Sequence, residues 1–280
     1  MPSMAIATSP DELEFDNLNR LADFSHFMAW TTRQYSREEI NAAGRQFAEL
    51  EATDPTRDKA LEIINNWRSC HGYPLQAVKM TLLNRAKGKI STTALVAQRI
   101  KRLPSIALKL KHNPDMKLSQ MQDIGGCRAV LNTSGDVEKL VRVYEEALAK
   151  NPHRKDRALL VKKDDYIAEP KPDGYRGVHL IMKYYSAWSP EFNEQKIEIQ
   201  VRSKLQHAWA TAVETCQTFT GQALKSKIKS ASDTWLRFFA LMSSAISVRE
   251  KRPPVPNTPL TKAERVAEIK GSIAREKQVK

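Results

Sequence analysis

The sequence predicts an α+β protein: one mixed core with helical N- and C-terminal extensions. Three observations point there. Apolar residues recur at helical spacing through 10–70 and again through 232–248. Between them, from 123 to 202, short strand-like runs alternate with a helical pattern. Helices, then mixed strands and helices, then helices again imply one α+β core with flanks.

The elements follow in order. Ser9 or Asp11 can cap a first helix, and Ser36 followed by Glu39 fits a capping box for a second. Ile40, Phe47, Leu50, Leu61, Ile64 and Trp67 give the apolar spacing, interrupted near Pro55. A further helix is expected over 73–87, and another beginning at Thr92 or Thr93 that enters a basic span. Pro104 ends that helix or opens the next, since proline is tolerated in a first turn. DIGGCRAVLN (123–132) reads as a strand entered through Gly125–Gly126. Residues 135–149 place Val137, Leu140, Val141, Tyr144 and Leu148 on one helical face. Strands are expected over 158–163, 177–185 and 195–202, then a helix from Ser203 carrying Trp209 and Glu214. The prolines of KRPPVPNTP (251–259) read as a linker, and the last 20 residues as a basic helix with little to bury.

Composition narrows the function. Residues 1–70 hold 7 Lys/Arg against 12 Asp/Glu, so of a net +13 the remainder of the chain carries +18. The span 79–118 has ten Lys/Arg against Asp115 alone. Such one-signed charge calls for a polyanionic partner, nucleotide phosphates or RNA, unless it is a solvated helix surface. No run approaches the ~18 apolar residues of a membrane span, and the first residues lack the basic and apolar regions of a signal peptide, so no membrane and a cytoplasmic location are expected. Cys70, Cys127 and Cys216 are far apart, which favours buried thiols over disulfides or zinc.

Two stretches carry the chemistry. KPDGYRGVH (171–179) sets Lys171, Arg176 and His179 around a Gly174–Tyr175 turn. Cations suit phosphate and a flat ring suits a base, although Tyr175 could equally cap the core and His179 be an ordinary strand histidine. KIEIQVR (196–202) puts Glu198 and Gln200 on one strand face between Ile197, Ile199 and Val201. A carboxylate there needs a cation, a metal or a salt bridge. If Pro104 opens a helix, Ser105 lies in its first turn, where free N–H groups favour phosphate, with Lys109 one turn on. Asp123 is a metal ligand or a cap at the start of its strand. It sits an odd five positions from Arg128, so a shared face would need a bulge at Gly125–Gly126.

Together these residues form an ordered series: Arg99, Lys101, Ser105, Ile106 and Lys109; Asp123, Gly126 and Arg128; Asp165, Tyr166, Pro170, Lys171, Gly174, Tyr175 and His179; Glu198, Gln200 and Arg202. The series resembles the synthetase domain of the RelA/SpoT family over about 90–220. The resemblance implies a mixed five-stranded sheet of the nucleotidyltransferase type wrapped by helices. It implies transfer of the β,γ-pyrophosphate of ATP to a 3′-hydroxyl. Arg99 and Arg128 would hold adenine, with Lys101, Ser105 and Lys109 on the ATP phosphates. Asp123 and Glu198 would be catalytic and bind Mg2+. Lys171, Tyr175, His179, Gln200 and Arg202 would contact the acceptor. The implied organisation is a helical region (1–72), a RelA/SpoT-like synthetase domain (73–250), and a Pro-rich linker with a basic helix (251–280).

GDP or GTP is the expected acceptor, giving an alarmone. An adenine nucleotide or the 3′ end of tRNA would use the same chemistry. The tRNA case would make the chain a toxin, with an antitoxin protein as partner; a homo-oligomer is compatible with each. An inert RNA-binding module is the reading from another class, and Asp123 with Glu198 argues against it. Long family members carry a His-Asp hydrolase half; this chain has no adjacent His-Asp pair, so none is expected. Glu214 lies five residues after Trp209, where small members place a glutamate four after.

Overall fold

The computed structural model describes residues 30–49, 54, 57–150, 158–220 and 233–278. Helices α1 (Arg37–Glu49), α2 (Arg57–Cys70) and α3 (Gly72–Arg85) lead through a π-helical turn, Ala86–Ile90, into β1 (Leu95–Ile100). Then come α4 (Leu103–Lys111), β2 (Gly125–Leu131), α5 (Ser134–Lys150), β3 (Leu159–Asp165), β4 (Val178–Lys183) and β5 (Lys196–Ser203). Helices α6 (Lys204–Thr220), α7 (Asp233–Arg249) and α8 (Lys262–Gln278) follow. The five strands form one mixed sheet in the order β1-β2-β5-β4-β3. Strands β2 and β5 are parallel; the other neighbouring pairs are antiparallel. The expected α+β architecture is therefore the one observed.

Alternation along the strands divides the sheet into two faces. Cys127, Ala129, Leu131, Ile197, Ile199, Val201, Val178, Leu180 and Met182 point to one side and form the main core with α3 and α5. Gly125 permits close packing there, because a Cβ on it would lie 2.6 Å from Ile197 Cδ1. A second core joins α1 and α2 to α4 through Ile40, Phe47, Ile64, Trp67, Ile106 and Leu110, with Met121 and Ile124. The Ser36–Glu39 capping box opens α1: Ser36 N–H donates to Glu39 Oε2 at 2.8 Å, and Glu39 N–H to Ser36 Oγ at 3.2 Å. The cap expected at Ser9 or Asp11, and Leu50, lie outside the described residues.

Two expectations change. Residues 95–100, expected in a helix from Thr92 or Thr93, form β1, which pairs with β2 from Leu95↔Val130 to Ile100↔Gly125. An edge strand buries little, and Leu95, Ala97, Gln98 and Arg99 are exposed. No period-two apolar signal marks it, and pairing overrides local preference. Residues 251–259 are a packed strap rather than a loose linker: Val255 is 1% exposed, and its N–H donates to Ser244 Oγ. Helix α8, expected as a basic helix with little to bury, docks through polar contacts. Arg237 pairs with Glu268 at 2.5 Å, and buried Arg265 donates to the carbonyls of Pro259 and Leu260. No helix among the described residues is long and apolar enough to cross a membrane.

Candidate active site

The sheet face opposite the main core carries the polar residues. Register places Arg128, Gln200 and His179 on one rung, and Gly126, Glu198 and Ile181 on the next, with Arg99 beyond Gly126. Arg202 extends the Glu198–Gln200 row. No bulge is needed to reconcile Asp123 with Arg128, because Asp123 precedes β2 and is placed by the loop from α4.

Five side chains close a hydrogen-bonded ring on this face. His179 Nδ1 lies 3.0 Å from Glu198 Oε1, and His179 Nε2 lies 2.5 Å from the Tyr175 hydroxyl. Arg202 Nη2 donates to the Tyr175 hydroxyl at 2.7 Å and to Gln200 Oε1 at 2.9 Å. Gln200 Nε2 donates back to Glu198 Oε2 at 2.7 Å. An ionised carboxylate only accepts, so His179 donates to Glu198 through Nδ1; in the neutral tautomer Nε2 then accepts a hydrogen bond from the Tyr175 hydroxyl. Burial pushes the Glu198 pKa up and Asp123's charge adds to that, yet the bonds from His179 and Gln200 prevail and hold it below the ordinary carboxylate value.

Asp123 forms a second cluster. Lys101, just past β1, donates to Oδ2 at 2.7 Å, and Lys109, on α4, donates to Oδ1 at 2.8 Å. Burial pushes the Asp123 pKa up, and the two ammonium groups bring it below the usual range. Pro104 does open α4, and Ser105 lies exposed in its first turn. Arg102, the N-cap, makes no side-chain cap bond, so those backbone N–H groups remain available to an anion.

Arg99, Arg128, Lys171, Tyr175, His179, Gln200 and Arg202 line one cleft of about 230 Å³. Lys101, Ser105, Lys109, Asp123 and Glu198 stand outside its lining. Burial, then the charges of Arg202 and Arg99, lower the Arg128 pKa. Arg128 Nε and Arg202 Nε and Nη1 are buried with no hydrogen-bond partner among the described residues. Unmet guanidinium donors this close together are costly until an anion fills them. Lys171 Nζ sits 4.1 Å from the centre of the Tyr166 ring and 5.3 Å from that of Tyr175. Tyr175 has Arg202 over its ring at 4.9 Å, and burial raises its pKa. A larger cavity of about 600 Å³ lies between α1 and the 183–196 connection and contains none of these residues. Chemistry, not size, singles out the candidate site.

Arg176 differs from the phosphate-facing cation that its loop suggested. It is 2% exposed and points away from the cleft, toward α7 and the strap. Residues not singled out for the site also line the cleft: Asp173 from the turn, Trp209 and Val213 from α6, and Leu236 and Phe239 from α7. Glu214 lines it too. Only the apolar spacing of 232–248 hinted at α7, and it could not show which face meets the turn.

The two carboxylates suit Mg2+. They are hard oxygen donors whose pKa values are both lowered, which favours the charged form, and Asp123's charge acts on Glu198. Among the described residues no group of three or more His, Cys, Asp or Glu could hold a metal. Magnesium held by one or two carboxylates plus substrate phosphates needs no larger group.

The mixed five-stranded sheet with its flanking helices is the fold of the small alarmone synthetases. Residues 98–219 match the family described as "Region found in RelA / SpoT proteins". The chain is 32% identical to GTP pyrophosphokinase YwaC of Bacillus subtilis (strain 168) over 119 residues, 40% of this chain and 52% of that protein. Against GTP pyrophosphokinase YjbM of the same organism it is 32% identical over 123 residues, 43% and 54% of the two chains. The chain thus spans about half the length of the curated relatives it matches. Small alarmone synthetase 2 from B. subtilis superposes with TM-score 0.53 at 20% identity, covering 67% of this chain and 94% of that one. Small alarmone synthetase 1, solved bound to its product pppGpp, gives 0.51 at 25% identity, covering 75% and 97%.

Proposed function

We propose that the protein is an ATP-dependent nucleotide pyrophosphokinase that transfers the β,γ-pyrophosphate of ATP to the 3′-hydroxyl of GDP or GTP, yielding AMP and ppGpp or pppGpp. One observation carries this reading. Unmet cationic donors, a ring-bonded Glu198 and a lysine-clamped Asp123 converge on one face of the sheet. The names of the curated relatives agree with it.

The bond from the acceptor 3′-oxygen to Pβ forms as the Pβ–O–Pα bridge breaks and AMP leaves. Such a transfer needs alignment and charge neutralisation more than covalent help. Arg99 and Arg128 hold the adenine. Lys101 and Lys109 exchange the Asp123 carboxylate for ATP phosphates, assisted by Ser105 and the open N-terminus of α4. Tyr175 carries the acceptor base; Lys171, Arg202, Gln200 and His179 surround its phosphates and ribose. Glu198, oriented by His179 and Gln200, takes the hydroxyl proton. Asp123 and Glu198 would hold Mg2+, which neutralises charge on the phosphates when bound.

The test is incubation of the purified chain with γ-labelled ATP and Mg2+, offering GDP, GTP, ATP and tRNA in parallel. Label is expected in the guanine nucleotides, with matching AMP release. Label in tRNA alone would replace the acceptor assignment; no AMP release with any acceptor would refute the pyrophosphokinase reading.

A further inference from the structure

The segment matched to the family ends at residue 219, yet the Gly174–Tyr175 turn is built against helix α7, which lies beyond that boundary. Gly174 has φ +90°, and a Cβ there would lie 3.0 Å from Ser243 Cβ and 3.1 Å from Ala240 Cα, both on α7. Ser243 Oγ donates to the Gly174 carbonyl at 2.6 Å. On the other side of Tyr175, Arg176 Nε donates to the same Ser243 Oγ at 3.1 Å, and its Nη2 donates to the Pro253 carbonyl of the strap. The residues before and after Tyr175 are therefore fastened to one serine. A buried guanidinium is expensive, and Arg176 Nη1 has no partner among the described residues. Its retention at 2% exposure calls for a return beyond packing.

We propose that α7 and the strap are part of the acceptor site, with Ser243 and Arg176 as positioning residues that fix the Gly174–Tyr175 turn. This rests on the pyrophosphokinase reading above. The turn sets the direction of the Tyr175 ring, and misplacement of a stacking group is felt in binding of the base it carries. The ATP phosphates, held by Lys101, Ser105 and Lys109, lie outside the cleft that this turn lines.

The experiment uses the full chain with Ser243→Ala and Arg176→Lys. Ser247→Ala is the control: a buried serine one turn along α7 that donates to Ser244 O. Amide hydrogen exchange over 171–179 and the KM of each substrate are measured. Both test variants are expected to exchange faster across the turn and to raise the acceptor KM about 5–10-fold, leaving kcat and the ATP KM within about twofold, while the control matches the native chain. Lysine keeps the charge of Arg176 but not its two-armed geometry. Native exchange and KM in both variants overturn the proposal. So does a fall in kcat at unchanged KM, or equal effects from Ser247→Ala, since these mark ordinary loss of packing. A native chain that turns over with unshifted variants refutes the clamp alone. A native chain that releases no AMP refutes the pyrophosphokinase reading, and the acceptor assignment with it.

Discussion

Replacing Asp123 with asparagine tests the heart of the site. The carboxylate accepts from Lys101 and Lys109, whose side chains are 11% and 34% exposed, against 17% for its own. An asparagine keeps the shape and removes the charge. Lys109 can turn toward water, whereas Lys101 stays largely desolvated beside an amide. Removing one member of a buried pair costs about 3–5 kcal/mol and of an exposed one about 0–1. An intermediate loss of about 2–3 kcal/mol is expected here, most of it from Lys101. Adding Lys101→Met should recover about half, since the stranded charge is then gone. The pH dependence has a definite sign. The folded pKa of Asp123 is lowered, so its stabilisation is complete above the unfolded value of 3.8 and fades as pH falls through the folded one. Urea unfolding should show the full gap between the native chain and the Asp123→Asn variant at pH 7 and a shrinking gap in acid. Freed lysines should also bind ATP more tightly in EDTA, although pyrophosphate transfer is lost. Equal stability at pH 7, or a gap that persists in acid, would refute the clamp.

Glu198→Gln should abolish transfer in a folded protein, and the acid limb of the native rate profile should lie below 4.5, because the folded pKa is lowered. Near-native turnover in this variant would remove Glu198 from catalysis. Tyr175→Ala should raise the acceptor KM roughly ten- to hundredfold, from a stacking contribution of ~1–3 kcal/mol, with little change for ATP; equal effects on both would make it a structural residue. Gly174→Ala should cost about 1–3 kcal/mol in thermal or urea unfolding, from the positive φ and the contacts with α7, and an undiminished midpoint would contradict that strain.

The sequence was most legible where one residue's environment follows from its neighbours along the chain. Alternation in KIEIQVR placed Glu198 and Gln200 on one face with no knowledge of the partner strands. Ser36 and Glu39 announced their helix for the same reason. Features that depend on distant pairing were not legible. Strand β1 is an edge with no apolar alternation, so its basic residues read as helix. The role of Arg176 is set by Ser243 and Pro253, 67 and 77 residues away, and its charge alone suggested phosphate. The KPDGYRGVH loop therefore splits. Lys171 and His179 face the cleft, while Arg176 anchors it from behind.

The same distinction bears on the acceptor. The surplus of positive charge suggested RNA when counted along the chain, but its members are divided between the two sides of the sheet. Arg85 is buried with its guanidinium 4.4 Å from the Tyr144 ring centre, closed to any nucleic acid. Lys79, on α3, and Lys87 and Lys89, on the turn after it, belong to the layer that covers the apolar face, opposite Glu198. Lys225, Lys227 and Lys229 lie outside the described residues. The cations that do converge are Arg99, Arg128, Lys171 and Arg202, around a cleft of about 230 Å³. With Arg99 and Arg128 given to the adenine and Lys171 and Arg202 to the acceptor, so small a volume leaves little room for a polymer to add contacts. Lys87→Glu with Lys89→Glu should therefore leave guanine-nucleotide pyrophosphorylation unchanged. If the acceptor were tRNA bound across both layers, the same pair would flatten the salt dependence of binding by about 0.7–0.9 in log–log slope per lost phosphate contact, and that result would overturn the mononucleotide assignment.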